Sequence, residues 1–109
     1  GGNIAPGIGM RLRALRSFTA RLPEVNGYGA TPPFGTDTVT AMRSGAVRGV
    51  AAEVAYYRAQ LPAGTRVVLT GGWSHRLAEF LDFEVTLEPC LVTKGLLSIL
   101  LYNEHKGKN

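Results

Sequence analysis

Two long stretches of the chain repeat apolar residues at the three-to-four spacing of an amphipathic helix. The first covers 8–22, where Pro23 ends the pattern, and the second covers 37–61, where Thr36 or Asp37 can act as the N-cap. We predict a helix over each stretch, and a loop rich in glycine and proline over 24–35 between them. The predicted apolar spines are Ile8, Leu12, Leu15, Phe18 and Leu22 in the first helix, and Val39, Met42, Ala46, Val50, Val54, Tyr57 and Leu61 in the second.

The second half of the chain alternates short strand and helix patterns. Residues 66–70 and 83–87 predict strands, and Ser74 is placed to cap a helix over 74–81 between them. Residues 91–103 predict a final buried helix, and residues 3–5 predict the end of a strand. Because a strand–helix–strand order favours a parallel crossover, we expect an α/β fold that is rich in helix and has a small mixed sheet. The length allows a single domain over 1–109.

Three turns that contain glycine lie before predicted helices, at 1–7, 34–38 and 69–72. The first N–H groups of a helix lack partners and carry a partial positive charge, which favours anionic oxygens. The three turns together predict a nucleotide or phosphate site.

Two glycines, Gly45 and Gly49, lie on one stripe inside the second predicted helix. Each destabilises a helix by about 1 kcal/mol relative to alanine. We expect that another helix packs closely against this stripe, from the same chain or from a second subunit.

Composition narrows the class of protein. The 109 residues are 45% hydrophobic and 18% charged, which is typical of a folded chain, and their net charge is +4. The single cysteine, Cys90, cannot form a disulfide within the chain, which fits a reducing compartment. Without a leader pattern or an apolar run of about 20 residues, we expect a cytoplasmic protein with no membrane partner.

The ionisable residues do not predict a catalytic or metal site of their own. Asp37 and Glu53 lie about four turns apart on one helix, and His75 and His105 have no second metal ligand at a suitable spacing. Arginines of the first helix could form a nucleic-acid patch, but a solvated basic face is the favoured interpretation. Trp73 could cover the edge of a ligand, although packing is the stronger expectation.

Five motifs, in this order and at this spacing, resemble the C-terminal half of type III pantothenate kinases, a family also labelled Bvg accessory factor. The match extends over nearly the whole chain. The motifs are Gly1-Gly2-x-Ile4-x-Pro6-Gly7, Phe18-Thr19-Ala20-Arg21-Leu22-Pro23, Gly35-x-Asp37-Thr38-x-x-Ala41-Met42-x-Ser44-Gly45, Leu69-Thr70-Gly71-Gly72 and Leu91-Val92-x-Lys94-Gly95-Leu96.

The resemblance implies a partial ribonuclease-H-like domain of the actin-like ATPase and sugar-kinase superfamily. The intact enzyme would phosphorylate pantothenate, the first step of coenzyme A biosynthesis, with ATP, Mg²⁺ and a monovalent cation (K⁺ or NH₄⁺), as a homodimer. By the same resemblance Thr38 would contact pantothenate, and Gly71 and Gly72 would contact the nucleotide. The glycines Gly1, Gly2 and Gly7 would form a turn at the domain cleft.

Motifs of the family that carry the catalytic base and the phosphate turns are absent from this chain. We expect them upstream of Gly1, in an N-terminal half of a truncated protein, and we expect the chain alone to be inactive. Two alternatives stay open: a regulatory protein of the Bvg accessory type, whose binding to DNA would weaken steeply with salt, and a nucleotide-binding module of another actin-like kinase. No DNA-reading motif is visible, so we expect no nucleic-acid partner.

Overall fold

The computed structural model describes residues 1–88, and the order of its elements is helix, helix, strand, helix, strand. They are α1 (Ile8–Ser17), α2 (Thr38–Ala59), β1 (Val68–Leu69), α3 (Ser74–Ala78) and β2 (Thr86–Leu87). The α/β class and both long helices are confirmed. The predicted helix over 91–103, together with Cys90 and His105, lies outside the described residues.

The two strands are shorter than predicted, but they pair in the expected direction. They form a parallel ladder with Val68 opposite Thr86 and Leu69 opposite Leu87. The amide of Thr86 donates to the carbonyl of Val67 at 2.8 Å, and the amide of Glu88 donates to the carbonyl of Leu69 at 2.9 Å. Within residues 1–88 the sheet is parallel, not mixed, and α3 is the helix that connects its strands.

The core lies where the helices meet. α1 contributes Ile8 and Leu12, and α3 contributes Leu77. The α2 residues buried against them are Met42, Ala46, Val47 and Ala51, and Val25 of the loop completes the cluster. Leu61, the last residue of the predicted α2 spine, lies beyond the end of the helix and is half exposed. Burial of one face of each helix is the main stabilising contribution expected for a domain of this kind.

α1 ends at Ser17, five residues before the predicted end at Leu22. The hydroxyl of Thr19 donates to the carbonyl of Leu15 and accepts from the amide of Leu22 at 3.3 Å. Such local side-chain bonds compete with the helical ladder, which explains the early end. Phe18, predicted on the apolar face, is consequently 88% exposed.

Residues 3–5 form no strand, so that prediction is wrong. Ile4 is fully exposed, and a strand requires a neighbour that accepts and donates its main-chain hydrogen bonds.

No helix among the described residues is long and apolar enough to cross a membrane.

Candidate functional site

The start of α2 is fixed by a reciprocal cap. The carboxylate of Asp37 accepts from the amide of Thr40 at 2.8 Å and from its hydroxyl at 2.7 Å. In return the Thr40 hydroxyl oxygen accepts from the amides of Asp37 at 3.1 Å and of Thr36 at 2.9 Å. This is a capping box in which threonine takes the place usually held by glutamate or glutamine. The prediction that Asp37 caps the helix is confirmed.

This cap changes the electrostatics of the second glycine turn. The hydrogen bonds from Thr40, backbone first and hydroxyl second, lower the pKa of the Asp37 carboxyl, and Arg43 lowers it further, while burial opposes them weakly. The carboxylate is therefore ionised at neutral pH and already accepts from the amide of Thr40 in the first turn of α2. A phosphate at this turn would meet that negative charge, which disfavours an anion at the start of α2; the nucleotide or phosphate site stays a prediction.

Gly35 explains why this turn contains glycine. A Cβ on residue 35 would lie 2.2 Å from the amide nitrogen of Ala41 and 2.3 Å from its Cα. Only a residue without a side chain lets the loop approach α2 so closely. Thr38, the predicted pantothenate contact, is the first residue of the helix and is exposed.

The third glycine turn, after β1, is built differently. Gly71 has a φ of +96°, a backbone conformation that residues with side chains rarely adopt. Apart from the chain neighbours, no atom of residues 1–88 lies within 4 Å of a Cβ at either Gly71 or Gly72, so the backbone is open with respect to the described residues. The prediction that Ser74 caps α3 is wrong. Ser74 is the first residue of α3, and its hydroxyl donates to the Gly71 carbonyl at 2.8 Å.

Trp73 brings this turn to the beginning of α1. Its indole nitrogen lies 3.0 Å from the position of a Cβ on Gly9, and its ring stacks on Tyr28 with 5.0 Å between centroids. A cavity of about 300 Å³ beside the ring is lined by Gly9, Leu12, Arg13, Val25, Asn26, Gly27, Tyr28 and Trp73. Trp73 therefore packs between elements, as expected, while its ring also forms part of an open cavity wall.

The first glycine turn is exposed along its whole length. A Cβ on Gly1, Gly2 or Gly7 would have no described residue within 4 Å other than its chain neighbours, and Gly7 precedes α1 without a side-chain cap. The first turn precedes α1, whose Gly9 lies beside the ring of Trp73, and Trp73 directly follows the third turn in the chain. Thr38 does not line the cavity beside that ring.

The loop over 26–32 is held by side chains that the sequence analysis did not single out. Arg43 donates to the carbonyls of Asn26 at 2.7 Å and Ala30 at 3.1 Å. Ser44 donates to Pro32 at 2.7 Å and Arg48 to Thr31 at 2.9 Å. Arg76, from α3, donates to Gly27 at 3.0 Å and Gly29 at 2.8 Å. Most carbonyls of the loop are thereby satisfied without secondary structure.

One signal in the sequence could have indicated two of these residues. A loop with several glycines and prolines cannot pair its own carbonyls, so it needs donors from elsewhere. Arginine supplies five N–H groups in a fixed fork, and α2, which follows the loop, contains Arg43 and Arg48; Arg76, on α3, is too far along the chain for this signal to indicate it.

An apolar groove lies between α1 and α2. It has a volume of about 720 Å³, and its lining includes Met10, Ala14, Leu15, Phe18, Gly45 and Ala46. Outside the backbone of α2 itself, no atom of the part of the chain that the structure describes lies within 4 Å of a Cβ on Gly45, and the nearest to one on Gly49 is an Arg11 guanidinium nitrogen at 3.4 Å. No described helix of this chain therefore packs closely on the glycine stripe.

Outside these turns, the carboxylate of Glu53 forms an ordinary ion pair. Arg11 binds Glu53 at 2.9 Å and donates to the Pro6 carbonyl at 2.7 Å, so it belongs to the α1–α2 contact and is not a freely solvated charge. In residues 1–88 no group of three or more histidine, cysteine, aspartate or glutamate side chains could hold a metal ion.

Comparison with known proteins decides the family. Residues 1–60 match the family model described as type III pantothenate kinase. The chain belongs to the type III pantothenate kinase family. It is 42% identical over 106 residues to the type III pantothenate kinase of Bacteroides fragilis and 40% identical over 107 residues to that of Phocaeicola vulgatus.

These relatives are considerably longer than the chain. The match to the Bacteroides fragilis kinase covers 94% of this chain but 44% of the relative. A Porphyromonas gingivalis kinase, 38% identical over 109 residues, is covered to 45%. The chain thus spans a little under half the length of the relatives that it matches.

Proposed function

We propose that this chain is the C-terminal domain of an ATP-dependent pantothenate kinase, and that it carries contacts to substrate and nucleotide but not the catalytic base. The observation that carries the proposal is the family match over residues 1–60, together with relatives named type III pantothenate kinase at about 40% identity. The whole enzyme would transfer the γ-phosphoryl group of ATP to the hydroxyl of pantothenate. The domain would be a partial ribonuclease-H-like fold of the actin-like superfamily.

The glycine turn after β1 is the part of the chain that best fits a nucleotide. Apart from the chain neighbours, no described residue lies within 4 Å of a Cβ on either glycine, and the positive φ of Gly71 favours a residue without a side chain. A purine or ribose can contact such a backbone closely. We assign the adenosine side of ATP to Gly71 and Gly72, and a supporting turn at the cleft to Gly1, Gly2 and Gly7.

Thr38 is assigned to pantothenate. Its side chain is exposed at the first position of a helix whose start is fixed by the reciprocal bonds of Asp37 and Thr40. A hydroxyl there can donate to or accept from a polar substrate while the cap keeps the helix start rigid.

The charge of the transferred phosphoryl group must be neutralised by other residues. Among residues 1–88 no carboxylate cluster fits Mg²⁺ or a monovalent cation. We therefore place the ligands of Mg²⁺ and of K⁺ or NH₄⁺, together with the base, in an N-terminal half of the enzyme.

A homodimer would cover the apolar groove between α1 and α2. The exposed Phe18 and the open stripe at Gly45 offer a second copy both an anchor and close backbone access. Replacing Phe18 with serine should lower the dimer fraction in sedimentation equilibrium, whereas Tyr56→Ser, at the far end of α2, should not. Equal behaviour of the two variants would contradict this interface.

The test of the substrate assignment is Thr38→Ala in the full-length enzyme. We expect the KM for pantothenate to rise by about tenfold, because the variant loses roughly one hydrogen bond to the polar substrate. The KM for ATP should be unchanged. Thr38→Ser, which keeps the hydroxyl, is the matched control and should stay within about twofold of the wild type. An unchanged KM for pantothenate in the alanine variant would remove Thr38 from the site.

A further inference from the structure

Thr31 is bound by one arginine from each of two helices. Arg48 of α2 donates to its carbonyl at 2.9 Å, and Arg76 of α3 donates to its hydroxyl. The same two guanidinium groups lie over the ring of Phe80, at 5.0 Å and 4.8 Å from its centroid. Thr31 and Phe80 therefore form a junction between α2 and α3.

Arg76 is buried, with 9% of its surface exposed. Besides Thr31 it reaches the carbonyls of Gly27 and Gly29 and the carboxylate of Glu79, the last at 2.6 Å. One planar fork thus holds three points of the loop and α3 itself. Lysine keeps the charge but cannot reproduce this set of directed bonds.

Each helix of the junction carries one part of the proposed site. α2 begins with Thr38, and α3 begins two residues after Gly72. Phosphoryl transfer depends on the alignment of donor and acceptor, and a misplacement of about 1 Å can reduce the rate about a hundredfold. The geometry points to Arg76 as a positioning residue that sets the alignment of the nucleotide turn with the substrate threonine. This inference rests on the proposed function.

Loss of alignment has a specific chemical consequence. When the pantothenate hydroxyl is misplaced, water can take its position as acceptor. The bond from the γ-phosphorus to the bridging oxygen of ADP then breaks, a bond to the water oxygen forms, and the water proton is released to solvent. ATP is converted to ADP and inorganic phosphate, and no phosphopantothenate is made.

The experiment measures the ratio of inorganic phosphate to phosphopantothenate formed by the full-length enzyme at saturating ATP and pantothenate. A variant that is only less stable loses both products in proportion, so its ratio stays constant. We expect Arg76→Lys to raise the ratio about tenfold or more. Arg58→Lys is the matched control, because Arg58 also lies over an aromatic ring, that of Phe83 at 4.8 Å, but away from the junction.

A second pair of variants keeps the test decisive if Arg76→Lys does not fold. Thr31→Val removes the acceptor hydroxyl with little change of shape and should raise the ratio. Thr31→Ser keeps the hydroxyl and should give the wild-type ratio. A wild-type ratio in Thr31→Val, or in a folded Arg76→Lys, would overturn the inference while leaving the proposed function intact. A wild-type enzyme that forms no phosphopantothenate would contradict the proposed function first.

Discussion

The two glycine turns before α2 and after β1 look alike in sequence but differ in construction. Before α2, Gly35 packs against the backbone of Ala41, and the Asp37 carboxylate accepts from the amide of Thr40 in the first turn of the helix. After β1, Gly71 and Gly72 have no neighbour within 4 Å of a Cβ, and α3 begins without a side-chain cap from Trp73.

This difference separates a structural glycine from one that leaves the backbone accessible. In the turn before α2 glycine serves the fold, and the charge there is negative. In the turn after β1 glycine gives a positive φ at Gly71 and an accessible backbone, which fits the contact with a nucleotide that we propose. The same residue type in the same kind of turn therefore does not indicate the same function.

The largest effect is expected at Gly35. In Gly35→Ala the methyl would clash with the backbone of Ala41, which cannot move without disturbing α2. We expect a loss of about 3 kcal/mol in the free energy of unfolding, measured by denaturant titration of the full-length protein.

The control for this substitution is Gly72→Ala, which has no positive φ and no described neighbour within 4 Å of its Cβ, and which should change the free energy of unfolding by no more than about 0.5 kcal/mol. If both substitutions gave the same stability, the close approach at Gly35 would be refuted.

A smaller effect on stability is expected in the turn after β1, where the two glycines should behave differently. Gly71→Ala forces a side chain into a positive φ and should lower the free energy of unfolding by about 1–2 kcal/mol. Gly72→Ala meets no neighbour and carries no such strain, so its stability should remain within about 0.5 kcal/mol of the wild type.

Activity measurements test the role of this turn in binding. If the backbone there faces ATP, Gly72→Ala should raise the KM for ATP while the fold is unchanged. A KM for ATP equal to that of the wild type would contradict the assignment of Gly72 to the nucleotide.

The smallest effect is a dependence on pH at the start of α2. Because the pKa of Asp37 is lowered on folding, its ionised form stabilises the folded state above the ordinary value of 3.8, and this contribution is lost as the pH falls through the folded pKa. Asp37→Asn keeps a capping oxygen but does not titrate.

The measurement is the difference in melting temperature between wild type and Asp37→Asn. It should favour the wild type near neutral pH and shrink below pH 3.8. A difference that stayed constant over this range would show that the charge does not contribute.

Sequence alone predicts the elements whose pattern is local. The apolar spacing locates α1 and α2, and the position of Asp37 before the apolar run identifies it as a cap. The end of α1 differs from the prediction because the bonds of Thr19 override a continuing apolar pattern. The strand predicted at 3–5 is wrong because a strand is defined by a partner, which periodicity cannot supply.

The candidate site is less predictable, since its geometry depends on contacts far apart in the chain. Arg76 reaches Gly27, 49 residues away, and no spacing rule connects them. In the turn before α2, the reciprocal bonds of Asp37 and Thr40 form only when the backbone is folded, so the sequence does not show which groups of this turn are already paired. The family motifs indicate which turns matter, but not which of them is open to a ligand.

The central claim is that this chain provides one wall of a kinase site whose catalytic base lies elsewhere. The most direct measurement is pantothenate-dependent transfer of ³²P from labelled ATP, by the full-length protein and by residues 1–109 alone. We predict phosphopantothenate from the full-length protein and none from the chain alone. Product from the chain alone, or a full-length protein that leaves pantothenate unmodified, would contradict the account.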